Sequence, residues 1–339
     1  MQLIPNGTTL VWETFASAVL ADNPLGDSPT RRMPVLLPPG YGQDAGRRYP
    51  ALYGLAGYLQ RGAIMLNDRA WGLTIQERLD LLYAGGMPHA IVVLPDCFTR
   101  LGGSQYVNSP AVGRYEDYLT QEIVPFVDAR YATIADRSGR GVFGKSSGGY
   151  GALRMGMRHP ELFGAVACHS GDMAFDLVFR PDFPRAADAI NAAGGVAEWF
   201  ERFEARPKKP GPDFEVVMTV AMAACYSPNP AAPLGADLPF DPHTCALRPE
   251  VWARWLEHDP IEMVERHADA LRSLRLLFVD CGSRDEHALH YGARQLVERL
   301  RALGIAHEHE EFDDGHRDTD YRYDVSLPKL ARALARQGF

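Results

Sequence analysis

No apolar run in this sequence is long enough to cross a bilayer, and no region accumulates positive charge: across 339 residues, 43 Asp and Glu outweigh 35 Lys and Arg, a formal net charge of -8. The first absence argues against a membrane partner. The second removes the electrostatic pull toward phosphate backbones, since Arg206-Pro207-Lys208-Lys209 is only a short basic patch, so no nucleic-acid partner is expected. Cysteine is scarce too: Cys97, Cys168, Cys225, Cys245 and Cys281 are odd in number and far apart, with neither disulfide-framework spacing nor a Cys-x-x-Cys metal pair. They read as buried free thiols. The opening Met1-Gln2-Leu3-Ile4-Pro5-Asn6-Gly7 has no basic stretch followed by an apolar one, which makes a cytoplasmic enzyme the expectation. Internal repeats and long low-complexity tracts are also missing.

What is present is the composition of a globular domain, 46% hydrophobic and 23% charged, long enough for one core plus one insertion. Two β-rich stretches, 9–20 and 31–37, open the chain, and the second runs into the turn Pro38-Pro39-Gly40-Tyr41-Gly42. Short apolar runs at 51–55, 90–94, 141–143, 165–168 and 274–279 suit strands buried on both faces. Helical periodicity at 115–127 (Leu119, Ile123, Val124, Val127) and 288–303 (Leu289, Leu296, Leu300, Leu303) alternates with them, predicting a mainly parallel central sheet flanked by helices. The rhythm breaks at 171–270, where helix-like pieces (186–203, 214–226, 249–257) surround the Pro-rich 227–242. We read 1–170 and 271–339 as the α/β core and 171–270 as an inserted helical cap. Trp199, Phe200, Phe203, Trp252 and Trp255 read first as a small satellite core within that cap.

The chemistry is carried by Gly144-Lys145-Ser146-Ser147-Gly148-Gly149, a Gly-x-Ser-x-Gly pattern directly after one expected strand and before a helix. A serine on such a sharp turn is held in a strained backbone conformation, and small neighbours let the chain reverse without collision. Ser146 is thus the candidate nucleophile, with the Ser147 amide at the helix N-terminus able to donate to a developing oxyanion. A hydroxyl needs a base to take its proton and a carboxylate to orient that base, expected in the chain order Ser, acid, His.

Two aspartates compete for the acid. Asp280 falls at the end of the strand at 274–279, while Asp285 lies beyond the Gly282 turn and can reach across neighbouring strand tips. Asp285 is preferred, and Asp280 reads as a cap of the strand-end turn. For the base, His307 and His309 fall inside the apparent strand 306–312, and His290 sits on a helix face with Arg294 and Glu298. His316, in Asp313-Asp314-Gly315-His316 after the last strand, has the right position. The second oxyanion donor is sought at the turn Tyr53-Gly54-Leu55-Ala56-Gly57-Tyr58, with the Tyr58 amide as candidate.

With these residues in view, the chain resembles the Putative esterase family, the esterase-D-like α/β hydrolases that include S-formylglutathione hydrolases, feruloyl and enterochelin esterases and antigen-85 mycolyltransferases. The resemblance is densest from Ile91-Val92-Val93-Leu94-Pro95-Asp96 through Gly113-Arg114-Tyr115-Glu116-Asp117-Tyr118-Leu119 and Ile123-Val124-Pro125 to Gly144-Lys145-Ser146-Ser147-Gly148-Gly149-Tyr150-Gly151-Ala152-Leu153. It implies a triad of Ser146, Asp285 and His316. Two departures stand out: Ala56-Gly57 where many members carry His-Gly, and Lys145-Ser146-Ser147 in place of the commoner His-Ser-Met.

The expectation is therefore a serine esterase acting on a small-molecule carboxylic ester through an acyl-enzyme, with no metal or organic cofactor. Acyl transfer to an alcohol, or a catalytically silent binding protein of the same fold, are the rivals. Assembly into a homo-oligomer is left open.

Overall fold

The computed structural model describes residues 7–209 and 211–335. The opening residues 1–6, on which the reading of the N-terminus rests, lie outside the described residues. Ten strands occur among the described residues, β1 (Thr9–Ala16), β2 (Thr30–Leu37), β3 (Ala51–Leu55), β4 (Ile91–Val93), β5 (Asn108–Ser109), β6 (Gly113–Arg114), β7 (Arg140–Lys145), β8 (Ala165–His169), β9 (Leu276–Gly282) and β10 (Glu308–Phe312). β5 and β6 pair only with each other. The other eight form one sheet in the order β1-β2-β4-β3-β7-β8-β9-β10. The entry β1-β2-β4 is antiparallel and every later neighbour is parallel.

The inner strands are predominantly apolar because both faces of the sheet are covered, so alternate side chains enter different layers. Tyr53, Ile91, Val93, Val142 and Val166 point into one core with the helices Ser147–Arg158 and Leu289–Ala302. Leu52, Val92, Phe143 and Phe278 point into the other, beneath Ile75–Ala84 and Tyr323–Leu334. The helical stretch expected at 115–127 runs as Tyr115–Asp117, a π-helical Tyr118–Ile123 and Val124–Arg130. Its Glu116 is buried and accepts from Arg154 Nη2 (3.0 Å), Arg158 Nε (2.7 Å) and His159 Nε2 (2.8 Å). A buried carboxylate needs such partners. They lock this helical stretch to the helix that begins beside Ser146.

Between β8 and β9 lie the helices Phe183–Ala193, Val196–Ala205, Phe214–Tyr226 and Pro249–Leu256 with shorter pieces. The single helix expected over 186–203 is broken at Gly194 and Gly195, whose φ of 95° and 152° suits glycine. The aromatics of this segment are not a separate satellite. Trp199, Phe200, Phe203, Trp252 and Trp255 are buried in the same cluster as the main core, joined through Tyr226, which stacks on Phe175 at 5.3 Å and meets Tyr150 of the core at 6.1 Å. Joining them to the main core removes more apolar surface from water than a free-standing cap could.

Four of the five cysteines are buried free thiols, and Cys245 is partly exposed. Lys209 is not a free basic patch, because its Nζ donates to the carbonyls of Phe203 (2.6 Å), Glu204 (2.9 Å) and Arg206 (2.6 Å) at a helix C-terminus. Among the described residues, no helix is long and apolar enough to cross a membrane.

Candidate active site

Strand order determines where a site can form. β3 leads towards β4 on one side and β7 towards β8 on the other, so their connections diverge and leave a crevice beyond the carboxyl ends of these two neighbours. The Gly57-Tyr58 turn follows β3, and Ser146 follows β7.

Ser146 has φ 58° and ψ -130°, a conformation costly for a side-chain-bearing residue, and the helix Ser147–Arg158 starts at once behind it. The Ser146 N–H donates to the His169 carbonyl at 2.9 Å, and the Tyr150 N–H to the Ser146 carbonyl at 2.9 Å. The turn closes only because its flanks lack Cβ atoms. A Cβ on Gly148 would lie 2.0 Å from the Leu55 carbonyl oxygen, and one on Gly144 would lie 2.4 Å from Gly148 backbone.

The same closeness seats the β3 turn against the serine. A Cβ on Gly57 would be 3.5 Å from Ser146 Cβ. Tyr58 anchors the turn through its hydroxyl, which donates to the Leu101 carbonyl at 2.6 Å, and the Leu59 N–H donates to the Gly102 carbonyl at 2.8 Å. Among the described residues neither the Tyr58 nor the Ser147 amide is hydrogen-bonded to a protein acceptor. Both are thus free to donate to a bound group.

Asp285 and His316 come together although 31 positions separate them in the chain: His316 Nδ1 lies 2.7 Å from Asp285 Oδ2. The other Asp285 oxygen accepts from the His287 N–H at 2.9 Å. Burial pushes the Asp285 carboxyl up, but the hydrogen bond and charge of His316 and the His287 amide outweigh it and hold the group below its ordinary value. Asp285 is therefore an anion facing the ring. No hydrogen bond joins Ser146 to His316 among the described residues, yet both line one cleft of about 580 Å³ with Gly57, Tyr58, Lys145 and Phe214. Such contacts are often long in an unliganded site.

Asp280 is not the turn cap that its position suggested. It is fully buried, with Oδ1 2.6 Å from His169 Nδ1 and Oδ2 accepting from Arg322 Nε at 2.8 Å, while His169 Nε2 lies 2.8 Å from Ser326 Oγ. This second Ser, His and Asp set is sealed in the core and does not line the cleft. His290 sits on the helix Leu289–Ala302, His309 on β10 and His307 just before it.

Three residues of the site escaped sequence reading. The Glu286 carboxylate accepts from the His316 N–H at 2.6 Å, a bond that lowers its own pKa. The His287 ring packs edge-on against the His316 ring with centroids 4.9 Å apart, and burial followed by the neighbouring His316 disfavours its protonation. Buried Asp172 accepts from Ser147 Oγ (2.9 Å) and Gln105 Nε2 (3.1 Å), and burial raises its pKa despite these donors. Glu286 and His287 adjoin Asp285 in the chain, and Asp172 follows the end of β8; these adjacencies were the available signals. Among the described residues, no group of three or more His, Cys, Asp or Glu is arranged to hold a metal ion.

Residues 28–333 match the model of the Putative esterase family. The chain belongs to that family. It is 27% identical over 297 residues to Esterase Rv1288 of Mycobacterium tuberculosis (strain ATCC 25618 / H37Rv), covering 83% of this chain and 51% of the relative. The chain thus spans about half the length of the curated relatives it matches first. Among solved structures, a ferulic acid esterase superposes with a TM-score of 0.61 at 22% identity, covering 96% of this chain and 99% of the other. An S-formylglutathione hydrolase from Agrobacterium tumefaciens does so with a TM-score of 0.61 at 18% identity, covering 99% of each chain. At these identities the structural likeness speaks for the fold, which is the α/β-hydrolase fold.

Proposed function

We propose that this protein is a serine hydrolase that cleaves small-molecule carboxylic esters through an acyl-enzyme on Ser146. The observation that carries the reading is the shared cleft, in which a strained serine on a strand-to-helix turn faces a histidine paired at 2.7 Å with a buried, ionised aspartate. In this reading His316 takes the Ser146 proton as the hydroxyl attacks the ester carbonyl, and Asp285 holds the ring's tautomer and stabilises the imidazolium. The Tyr58 and Ser147 amides receive the oxyanion, and His316 then returns the proton to the leaving alkoxide. Water, activated by the same ring, releases the acid. Family membership supports ester chemistry, and the names of relatives and neighbours, esterase, ferulic acid esterase and S-formylglutathione hydrolase, suggest aryl esters and thioesters as first substrates to assay.

We further read residues 171–270 as a substrate-selecting insertion, because Asp182, Arg185, Phe214 and Glu215 from it line the same cleft as Ser146. The decisive experiment is labelling with an aryl-ester-mimicking phosphonate followed by peptide mass spectrometry. The adduct is expected on Ser146 and is lost in Ser146→Ala, with turnover falling on the order of a millionfold. An adduct on Ser147 or on a cysteine, or ester hydrolysis undiminished in Ser146→Ala, refutes the assignment.

A further inference from the structure

Several of the charges lining the cleft are paired with one another. Arg69 Nη1 pairs with Asp318 at 3.0 Å and with Asp320 at 2.8 Å. Arg185 pairs with Glu215 at 2.6 Å, and Glu286 is engaged by the His316 amide. Lys145 differs. It immediately precedes Ser146, lines the same cleft, is only partly exposed, and among the described residues its side chain makes neither a hydrogen bond nor an ion pair. Its nearest acidic influences, Asp320 and Asp318, already share Arg69.

Resting on the esterase reading above, we propose that Lys145 selects esters that carry a carboxylate, pairing with that group while Ser146 attacks the ester carbonyl. A half-desolvated ammonium without a counter-ion is poorly satisfied, and an incoming carboxylate supplies the missing charge-assisted hydrogen bond. Burial lowers the Lys145 pKa and the Asp320 and Asp318 carboxylates oppose that shift, which is the environment of a cation short of close partners. The carboxylate can belong to the acyl part or to the alcohol part, since Lys145 adjoins the point where both meet.

Two matched pairs of substrates test this: 4-acetoxybenzoate against 4-acetoxybenzamide for the alcohol side, and monophenyl adipate against its terminal amide for the acyl side. The wild-type protein is expected to favour the carboxylate in at least one pair, judged by kcat/KM, and the responding pair identifies the side. Lys145→Gln should lower that preference about tenfold or more, and Lys145→Arg should retain most of it. No preference in either pair, or a preference that Lys145→Gln leaves unmoved, overturns the proposal. A second arm needs no turnover: Ser146→Ala protein is titrated calorimetrically with 4-acetoxybenzoate and monophenyl adipate, alone and with Lys145→Gln added. Affinity for one carboxylate ester should weaken about tenfold, and equal affinities in both backgrounds overturn the proposal. Should the wild-type protein hydrolyse no ester while this binding difference persists, the esterase reading fails and the anion site stands.

Discussion

At the scale of single residues, two aspartates only five positions apart have different physical situations and hence different expected phenotypes. Asp285 faces the His316 ring, so Asp285→Asn keeps the shape and removes the charge. Turnover should fall by roughly a thousandfold or more, by analogy with triad acids elsewhere, with little change in melting temperature. Asp280 is sealed between His169 and Arg322. Asp280→Asn leaves buried partners uncompensated and should cost about 3–5 kcal/mol, read as a large drop in melting temperature, while folded molecules keep their turnover. Steady-state kinetics and thermal melts of both variants decide the matter. A catalytic collapse confined to Asp280→Asn, with its stability intact, would reverse the assignment.

At the scale of elements, the site depends on how closely three chain segments approach. Gly148 sits where a Cβ would meet only backbone: the Leu55 oxygen at 2.0 Å, the Leu55 carbonyl carbon at 2.7 Å and the Ala56 oxygen at 2.9 Å. Gly148→Ala must therefore push β3 and its Tyr58 turn away from Ser146. It should destabilise the fold by about 1–3 kcal/mol and, if the Tyr58 and Ser147 amides receive the oxyanion as proposed, depress kcat more than KM. Unchanged kcat in a folded Gly148→Ala protein would argue that the Tyr58 amide is no part of the site. The aromatics of 171–270 divide in the same manner. Phe214 lines the cleft, so Phe214→Ala should reorder relative rates across a panel of aryl and alkyl esters. Trp255 is fully buried and its Nε1 donates to Ser227 Oγ at 2.8 Å, so Trp255→Ala should instead cost about 3–5 kcal/mol of stability. Should Phe214→Ala leave every relative rate untouched, the insertion does not choose substrate through that wall.

At the scale of the whole molecule, buried titratable groups make stability depend on pH in opposing directions. His258 packs on Tyr226 beside Arg154; burial first, and that guanidinium second, push its pKa down to about 3 from the ordinary 6.5. The unfolded chain binds a proton below pH 6.5 that the folded one refuses down to about pH 3, so stability is lost as pH falls through that window. The slope is at most about 1.4 kcal/mol per pH unit. Asp182 and Asp259, raised by burial to about 6, act oppositely and gain stability as pH falls from there towards 3.8. The wild-type curve thus mixes both signs, and a difference isolates the histidine. Relative to His258→Phe, which keeps the ring and cannot titrate, the wild-type protein should lose stability steadily in chemical denaturation from pH 6.5 to pH 4. Parallel pH profiles for the two proteins would show that His258 is protonated freely in the folded state.

Read alone, the sequence determined what local patterns encode. Unbroken apolar runs required strands covered on both faces, the Gly-x-Ser-x-Gly spacing demanded a sharp turn after one of them, and chain order pointed to His316 for the base. It could not decide what depends on the approach of distant segments. The partners of Asp280 lie on β8 and on residues just before the last helix, at separations of 111 and 42 positions, so its position at a strand end gave no sign that it was spoken for. The continuity of the 171–270 aromatics with the main core rests on the contacts of Tyr226 with Tyr150 and Phe175, which no periodicity foretells. Lys145 stood out in the sequence only as a departure from the commoner His-Ser-Met, and packing alone shows that Asp318 and Asp320 pair with Arg69 and Glu215 with Arg185 while Lys145 makes no ion pair among the described residues. Periodicity and spacing are properties of neighbours along the chain, whereas burial and charge pairing are settled only when the sheet brings its strand ends to one rim.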